Sequence, residues 1–245
     1  MNGIILAAGK GTRLNGVDLK PKCLFEVGGK TLLERQISAF REARIDNVVL
    51  VLGFEAERIK RRCPANTSFV MNSRFEETSS LYSLSLAREF LTDGFVVLNC
   101  DVLFHPQLLT RLLSAPFDDA LLVDLVDKQN NHLGDEEMKV KVSDGVVRDI
   151  RKDLDPAEAD GENVGMVKFS AHGARRLIDQ MDALLERGGE RDWAPRAFRE
   201  FALRYPLHAI STEDYPWIEI DFPEDYARAQ EEILPQINAL AGSLC

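Results

Sequence analysis

Leu6-Ala7-Ala8-Gly9-Lys10-Gly11-Thr12-Arg13 follows directly on a short apolar run, and Lys20-Pro21-Lys22 comes soon after it. Small residues at 7, 8, 9 and 11 let a backbone approach a ligand closely and turn its N–H groups toward phosphate oxygens. Lys10, Arg13, Lys20 and Lys22 set four cations against one acid, Asp18, in the first 22 residues of a chain whose formal net charge is -10. Positive charge is therefore concentrated where a polyphosphate would sit.

Two other phosphate loops are excluded by spacing. A dinucleotide fingerprint needs a third glycine, but Gly9-Lys10-Gly11-Thr12-Arg13 runs into Leu14, and Pro21 soon interrupts any helix. Gly28-Gly29-Lys30-Thr31 looks like the end of a P-loop, yet the first glycine of that motif would fall on Leu24.

The Leu6 to Arg13 segment together with Pro21-Lys22 resembles the L-A-A-G-x-G-x-R and P-K signature of the nucleotidyltransferases that activate sugar phosphates and phospho-alcohols. The resemblance extends over essentially the whole chain and is nearest to bacterial phosphocholine cytidylyltransferases. It implies a Rossmann-like three-layer α/β fold with a mixed, mostly parallel sheet. It also implies nucleotide contacts from Leu6, Ala7, Ala8, Gly9, Lys10, Gly11 and Thr12, a phosphate-contacting Lys22, and an Arg13 that binds departing pyrophosphate. Asn72-Ser73 and Ser79-Ser80-Leu81-Tyr82-Ser83-Leu84 resemble the segment that this group places against base and ribose, so Asn72, Ser80, Tyr82 and Ser83 join the expected nucleotide site. The group often has asparagines where this chain has Ser79 and Ser80, and small hydroxyl residues there also suit an N-cap.

A carboxylate is expected at the C-terminal end of a neighbouring strand, where open α/β sheets bind ligands. Asp101 follows Phe95-Val96-Val97-Leu98-Asn99-Cys100, and the resemblance makes it a metal ligand; its plain reading is a turn aspartate ahead of Pro106. Trp217-Ile218-Glu219-Ile220-Asp221 resembles the E-I-D segment before the closing helix of that family. Alternation puts Glu219 and Asp221 on one side of a strand, which with Asp101 gives an oxygen-rich magnesium site. Asp221, with Pro223 and Glu224 after it, also reads as a helix N-terminus. The expected catalytic set is Lys22, Arg13, Asp101 and Asp221, with Asp101 and Asp221 as metal ligands.

Acceptor-side elements resembling the same group lie in Glu136-Glu137-Met138-Lys139-Val140, Lys152, and Gly161-Glu162 ahead of Val164-Gly165. Lys139, Lys152, Glu162 and Glu219 are the expected acceptor contacts, although a hairpin lysine and a turn glutamate are commonly just solvated. Trp193 and Trp217 suggest a cage for a quaternary ammonium, since aromatic faces attract such groups, or else two core residues. His105, His132, His172 and His208 show no ligand spacing.

The elements that must position these residues alternate. Gly3 to Ala7, Asn47 to Leu52, Ser68 to Met71 and Phe95 to Leu98 read as strands. Between them, Thr31-Leu32-Leu33-Glu34 forms a capping box ahead of Leu33, Ile37 and Phe40 at helical spacing. A second helix is predicted from Leu81, with Leu84 and Ala87 toward the sheet, and a third from Pro106. Met138 to Val142 and Val146 to Ile150 read as a hairpin across Ser143-Asp144-Gly145. Val164 to Phe169 follows as a strand, Ala171 to Glu186 as a helix, and Pro223 to Leu240 as a closing helix carrying Tyr226, Ala229 and Ile233 on one face. One domain is expected, with residues 1–115 serving the nucleotide and 116–245 the acceptor.

Composition narrows the rest. At 245 residues and 45% hydrophobic content the chain can bury a substantial core. No apolar run approaches the roughly 20 residues of a membrane span, and Met1-Asn2-Gly3 enters the first strand without a secretory n-region, so a cytoplasmic protein is expected. Cys23, Cys63, Cys100 and Cys245 have no zinc spacing and read as free thiols. A sequence pI near 5.0 argues against nucleic acid and for a small-molecule substrate.

The expectation is a magnesium-dependent cytidylyltransferase that couples CMP from CTP to a phosphorylated or phosphonylated small alcohol or amine, releasing pyrophosphate. Rivals are a sugar-1-phosphate or inositol-1-phosphate nucleotidyltransferase, a glycosyltransferase of similar fold, and a nucleotide-sensing subunit without catalysis. The glycosyltransferase requires an Asp-x-Asp motif that Asp101-Val102-Leu103 lacks. UTP stays open beside CTP, as does oligomeric state, a homodimer included.

Overall fold

The computed structural model describes residues 1–11, 14, 20–126 and 133–242. In chain order the elements are β1 (Asn2–Ala7), β2 (Glu26–Val27), β3 (Lys30–Thr31), α1 (Leu32–Glu42), β4 (Val48–Leu52), α2 (Ala56–Lys60), β5 (Ser68–Met71) and α3 (Ser80–Leu86). After them come β6 (Phe95–Asn99), β7 (Val102–Phe104), α4 (Gln107–Ser114), β8 (Ala120–Leu125), β9 (Lys139–Ser143) and β10 (Val146–Arg151). The last are β11 (Gly161–Phe169), α5 (Ala171–Leu185), α6 (Ala194–Ala202), β12 (His208–Ser211), β13 (Trp217–Glu219), α7 (Pro223–Arg228) and α8 (Leu234–Gly242).

Alternation along β1 sets the layering. Ile4 and Leu6 point into a core shared with Leu84, Ala87 and the inner faces of α5 and α6. Ile5 and Ala7 point the other way, into a core with Leu33, Ile37, Phe40, Leu108 and Leu112. The sheet is therefore covered on both faces, which is why its central strands read as unbroken apolar runs. This is a three-layer α/β fold.

The nine-stranded sheet runs β5-β4-β1-β6-β11-β8-β12-β10-β9. β1 pairs in parallel with β4 and β6, β4 with β5, and β8 with β12, while β11 and β10 run against their neighbours. Parallel register aligns Ala7 with Leu52, Leu6 with Asn99, and Leu52 with Met71. The chain thus leaves β1, β5 and β6 at one edge, and antiparallel β11 delivers its first residues to the same edge.

Local signals explain several elements. Thr31 Oγ1 accepts from Glu34 N at 3.1 Å while the Glu34 carboxylate accepts from Thr31 N at 2.7 Å, so the capping box forms. The β9–β10 hairpin forms, turning through Asp144 and Gly145, both at positive φ. The closing helix is not uniform: a π-helical turn, Ala229–Ile233, separates α7 from α8. It buries Ala229 and Ile233 with Tyr226 against Phe25, Leu103 and Ile218. β11 begins at Gly161, earlier than the predicted Val164, so Glu162 belongs to a strand and not to a turn. Among the described residues no helix is long and apolar enough to cross a membrane.

Candidate active site

At the shared strand edge lies a cavity of about 510 Å³. Leu6 lines it from the end of β1, and Ala8, Gly9, Lys10 and Gly11 from the loop that follows. The loop is held by a hydrogen bond from Phe54 N to Ala8 O at 3.0 Å. Gly11 sits at φ 60°, and a Cβ there would lie 2.6 Å from Lys22 Cγ, so only glycine lets the Lys22 stem pass. Thr12, Arg13, Asp18, His132 and Cys245 fall outside the described residues.

Lys22 begins a short 3₁₀ turn after Pro21 and reaches into the acidic side of the cavity. Its Nζ is 3.1 Å from Asp101 Oδ2 and also hydrogen-bonds Asp221 Oδ1. Burial by itself would lower the ammonium's pKa, but Asp101 and Asp221 outweigh it and hold the group charged, above its ordinary range.

The acids are brought together by a two-stranded ribbon. β7 and β13 pair Val102 with Glu219, and Ile220 N donates to Asp101 O at 3.0 Å. Asp101, Glu219 and Asp221 consequently each offer an oxygen within 4.8 Å of the others. The capping role that competed for Asp221 falls to Asp225, whose carboxylate accepts from Phe222 N at 2.9 Å and Asp221 N at 3.1 Å. Gln36, on α1, donates from Nε2 to Asn99 O at 2.8 Å and to Val102 O at 3.0 Å, gripping the Asp101 loop on both sides.

This donor set fits a divalent cation. Asp101 Oδ1 is buried without a hydrogen-bond partner. Burial pushes the Glu219 carboxyl up to about 8, with repulsion from Asp101 and Asp221 adding to it. A hard cation with oxygen ligands would satisfy the first and relieve the second.

On the next wall, Asn72 is buried and engaged: it donates to Thr78 Oγ1 and Ser83 Oγ, both at 3.0 Å, and accepts from Arg74 N at 2.9 Å. Ser79 starts α3 without side-chain capping. The helix start is instead stitched to a distant segment. Ser79 N donates to Glu190 O at 2.8 Å, Leu81 N to Asp192 O at 3.1 Å, and Ala194 N to Ser80 Oγ at 2.8 Å.

Of the expected contacts, Asn72, Ser80, Ser83, Lys152, Trp193 and Glu219 line the cavity. Others do not. Ala7 faces the opposite core, and the Tyr82 ring lies under the Arg74 guanidinium, 5.1 Å away. Lys139 is buried, its Nζ donating to Gly134 O at 2.5 Å. Trp217 pairs with Phe104 across the ribbon and packs on the far core. Glu162 is not among the residues lining the cavity, and its carboxyl is pushed up to about 8 by burial and by Glu137 and Asp124, with Lys139 and Lys152 opposing. Asn99, Cys100, Asn163 and Pro195 also line the cavity. Of these, Asn99 and Cys100 directly precede Asp101 and Asn163 follows Glu162, so each of the three sits beside a residue that the sequence singled out.

The sequence matches the MobA-like NTP transferase domain over residues 3–200. It is 36% identical over 109 residues to a choline-phosphate cytidylyltransferase of Haemophilus influenzae, a match spanning 43% of this chain and 46% of that relative. It is 25% identical over 247 residues to a CTP:phosphoglutamine cytidylyltransferase of Campylobacter jejuni, covering 92% of this chain and 97% of the relative. In structure it is similar to the CTP:phosphocholine cytidylyltransferase of Streptococcus pneumoniae, with a TM-score of 0.77 and 23% identity over 94% of this chain and 97% of that one.

Proposed function

The chain is a nucleotidyltransferase of the MobA-like NTP transferase family, and from that premise we propose that it transfers CMP from CTP to a small phosphorylated or phosphonylated alcohol or amine. The observation that carries the reading is the placement of Lys22 between Asp101 and Asp221 at a cavity walled by the Ala8–Gly11 loop. The named activities of the Haemophilus, Campylobacter and Streptococcus proteins support cytidine as the base.

In this reading the acceptor's phosphate or phosphonate oxygen attacks the α-phosphorus of CTP. A new P–O bond forms, the bond to the bridging α,β-oxygen breaks, and that oxygen leaves on pyrophosphate with the electron pair. The N–H groups of residues 8–11 cradle the triphosphate, and Arg13 neutralises the departing pyrophosphate. Lys22 places its ammonium where charge grows on the α-phosphoryl oxygens. Asp101 and Asp221, with Glu219 beside them, would hold Mg2+, which when bound neutralises triphosphate charge. Residues 1–115 serve the nucleotide and residues 116–245 the acceptor, consistent with Met138, Lys152 and Trp193 on the cavity wall. No covalent enzyme intermediate is required.

A matrix of four nucleoside triphosphates against phospho-alcohol, phosphonate, inositol phosphate and sugar phosphate acceptors, scored for pyrophosphate with Mg2+ or with chelator, tests this. CTP with a small phospho-acceptor should dominate. Tight CTP binding with no pyrophosphate from any pairing would instead indicate a nucleotide-sensing protein.

A further inference from the structure

Besides the acids Glu219 and Asp221, the second half of the chain gives the cavity Glu136, Met138, Lys152, Asn163, Trp193 and Pro195. Trp193 is 50% exposed, and its ring is the aromatic surface available to an acceptor there. That ring already carries a cation: Lys152 Nζ stands 5.0 Å from its centroid and 3.3 Å from a Glu136 carboxylate oxygen.

A quaternary ammonium makes no N–H hydrogen bonds and is recognised by several aromatic faces closing around its methyl groups. Such a cage cannot be assembled here from the described residues. Trp217 packs in the far core, Tyr82 lies under Arg74, and the other aromatic on the cavity, Phe75, belongs to the loop side, with Lys10 Nζ 5.9 Å from its ring. Nor can the remaining residues supply one, since 12–13, 15–19, 127–132 and 243–245 contain no Phe, Trp or Tyr. What the wall offers instead is hydrogen-bonding chemistry: the Glu136 carboxylate and the buried Asn163 amide.

We infer that the acceptor is a phosphate monoester or a phosphonate whose head group donates hydrogen bonds, through a primary ammonium or hydroxyls, and does not end in a quaternary ammonium. The inference rests on the nucleotidyl-transfer reading above. Lys152 takes the acceptor's anionic group with its three N–H donors, and Glu136 accepts from the head group beside Asn163, whose Oδ1 also accepts from Gly165 N at 2.9 Å. Three methyl groups in place of three N–H groups would offer the Glu136 carboxylate no donor and bring apolar surface to a polar wall.

Phosphoethanolamine and phosphocholine differ only by those methyls, so the full chain with CTP and Mg2+ is assayed on both for pyrophosphate and for the CMP-linked product. Glycerol phosphate and inositol phosphate are included as hydroxyl-bearing acceptors. At least one donor-bearing acceptor should exceed phosphocholine in kcat/KM by tenfold or more. Phosphocholine equal to or better than all of them overturns the inference while leaving the transfer reading intact. Pyrophosphate from no acceptor with any nucleotide overturns the transfer reading and the inference together. Lys152→Met bares the Trp193 ring, so the phosphoethanolamine to phosphocholine ratio should fall even as both rates drop. An unmoved ratio would show that Lys152 does not exclude the methylated head.

Discussion

Lys22 spends its charge on two carboxylates when no phosphate is near, and the same placement makes it the group whose loss is felt twice. Lys22→Met should lower kcat by about a hundredfold or more, the scale of removing one fixed donor from a developing oxyanion. It should also leave Asp101 and Asp221 facing each other and Glu219 without a counter-charge, so the variant melts lower than wild type in chelator and gains more from added Mg2+. Thermal melts with and without Mg2+ check this; equal gains in both proteins would reject the counter-charge role. Lys22, Asp101 and Asp221 were legible because short motifs mark them. The separation of Trp193 from Trp217 was not, because a residue type carries no record of which face of a ribbon it takes.

At the scale of elements, α1 does more than cover the sheet. Its Gln36 sits on the face of Leu33, Ile37 and Phe40 and reaches past the apolar layer to the carbonyls of Asn99 and Val102. Gln36→Met, linear and of similar length, removes both bonds and lets the Asp101 loop move, so the Mg2+ concentration for half-maximal rate should rise by about tenfold or more. A KM for nucleotide little changed beside a lower kcat would mark a positioning residue; loss of stability with an unchanged Mg2+ requirement would mark a purely structural one. The capping box, the hairpin and the apolar strands could be read directly because their determinants lie within a few residues. The start of α3 was read to within a residue, at Leu81 against Ser80, but its capping was not, since its first N–H groups are met by carbonyls of residues 190 and 192 and not by the Ser79 side chain. Glu162 was misplaced for a similar reason: its strand is extended by pairing Gly161 with Leu125 and Glu162 with Asp124.

For the whole molecule, the acidic wall carries a stability cost that depends on pH. The Glu162 carboxyl, ordinarily near 4.5, is pushed up to about 8 by burial, with Glu137 and Asp124 adding. Between those values the unfolded chain has released a proton that the folded protein keeps. Stability therefore falls as pH rises through the window, by up to about 1.4 kcal/mol per pH unit, and levels off above it. Glu162→Gln should reduce that slope in denaturant titrations, Glu219 supplying what remains, and an unchanged slope would remove Glu162 as a source. The layered α/β architecture was readable from the alternation of apolar runs and helical periods, whereas the sheet order was not. The antiparallel insertion of β11 between β6 and β8 depends on pairing across distant segments. Three hydrogen bonds, Ser79 N to Glu190 O, Leu81 N to Asp192 O and Ala194 N to Ser80 Oγ, join the helix expected to meet the nucleotide to the segment that presents Trp193. Selection for a different base and selection for a different acceptor must therefore pass through shared backbone, so a lineage changing one partner inherits a disturbance in its discrimination of the other.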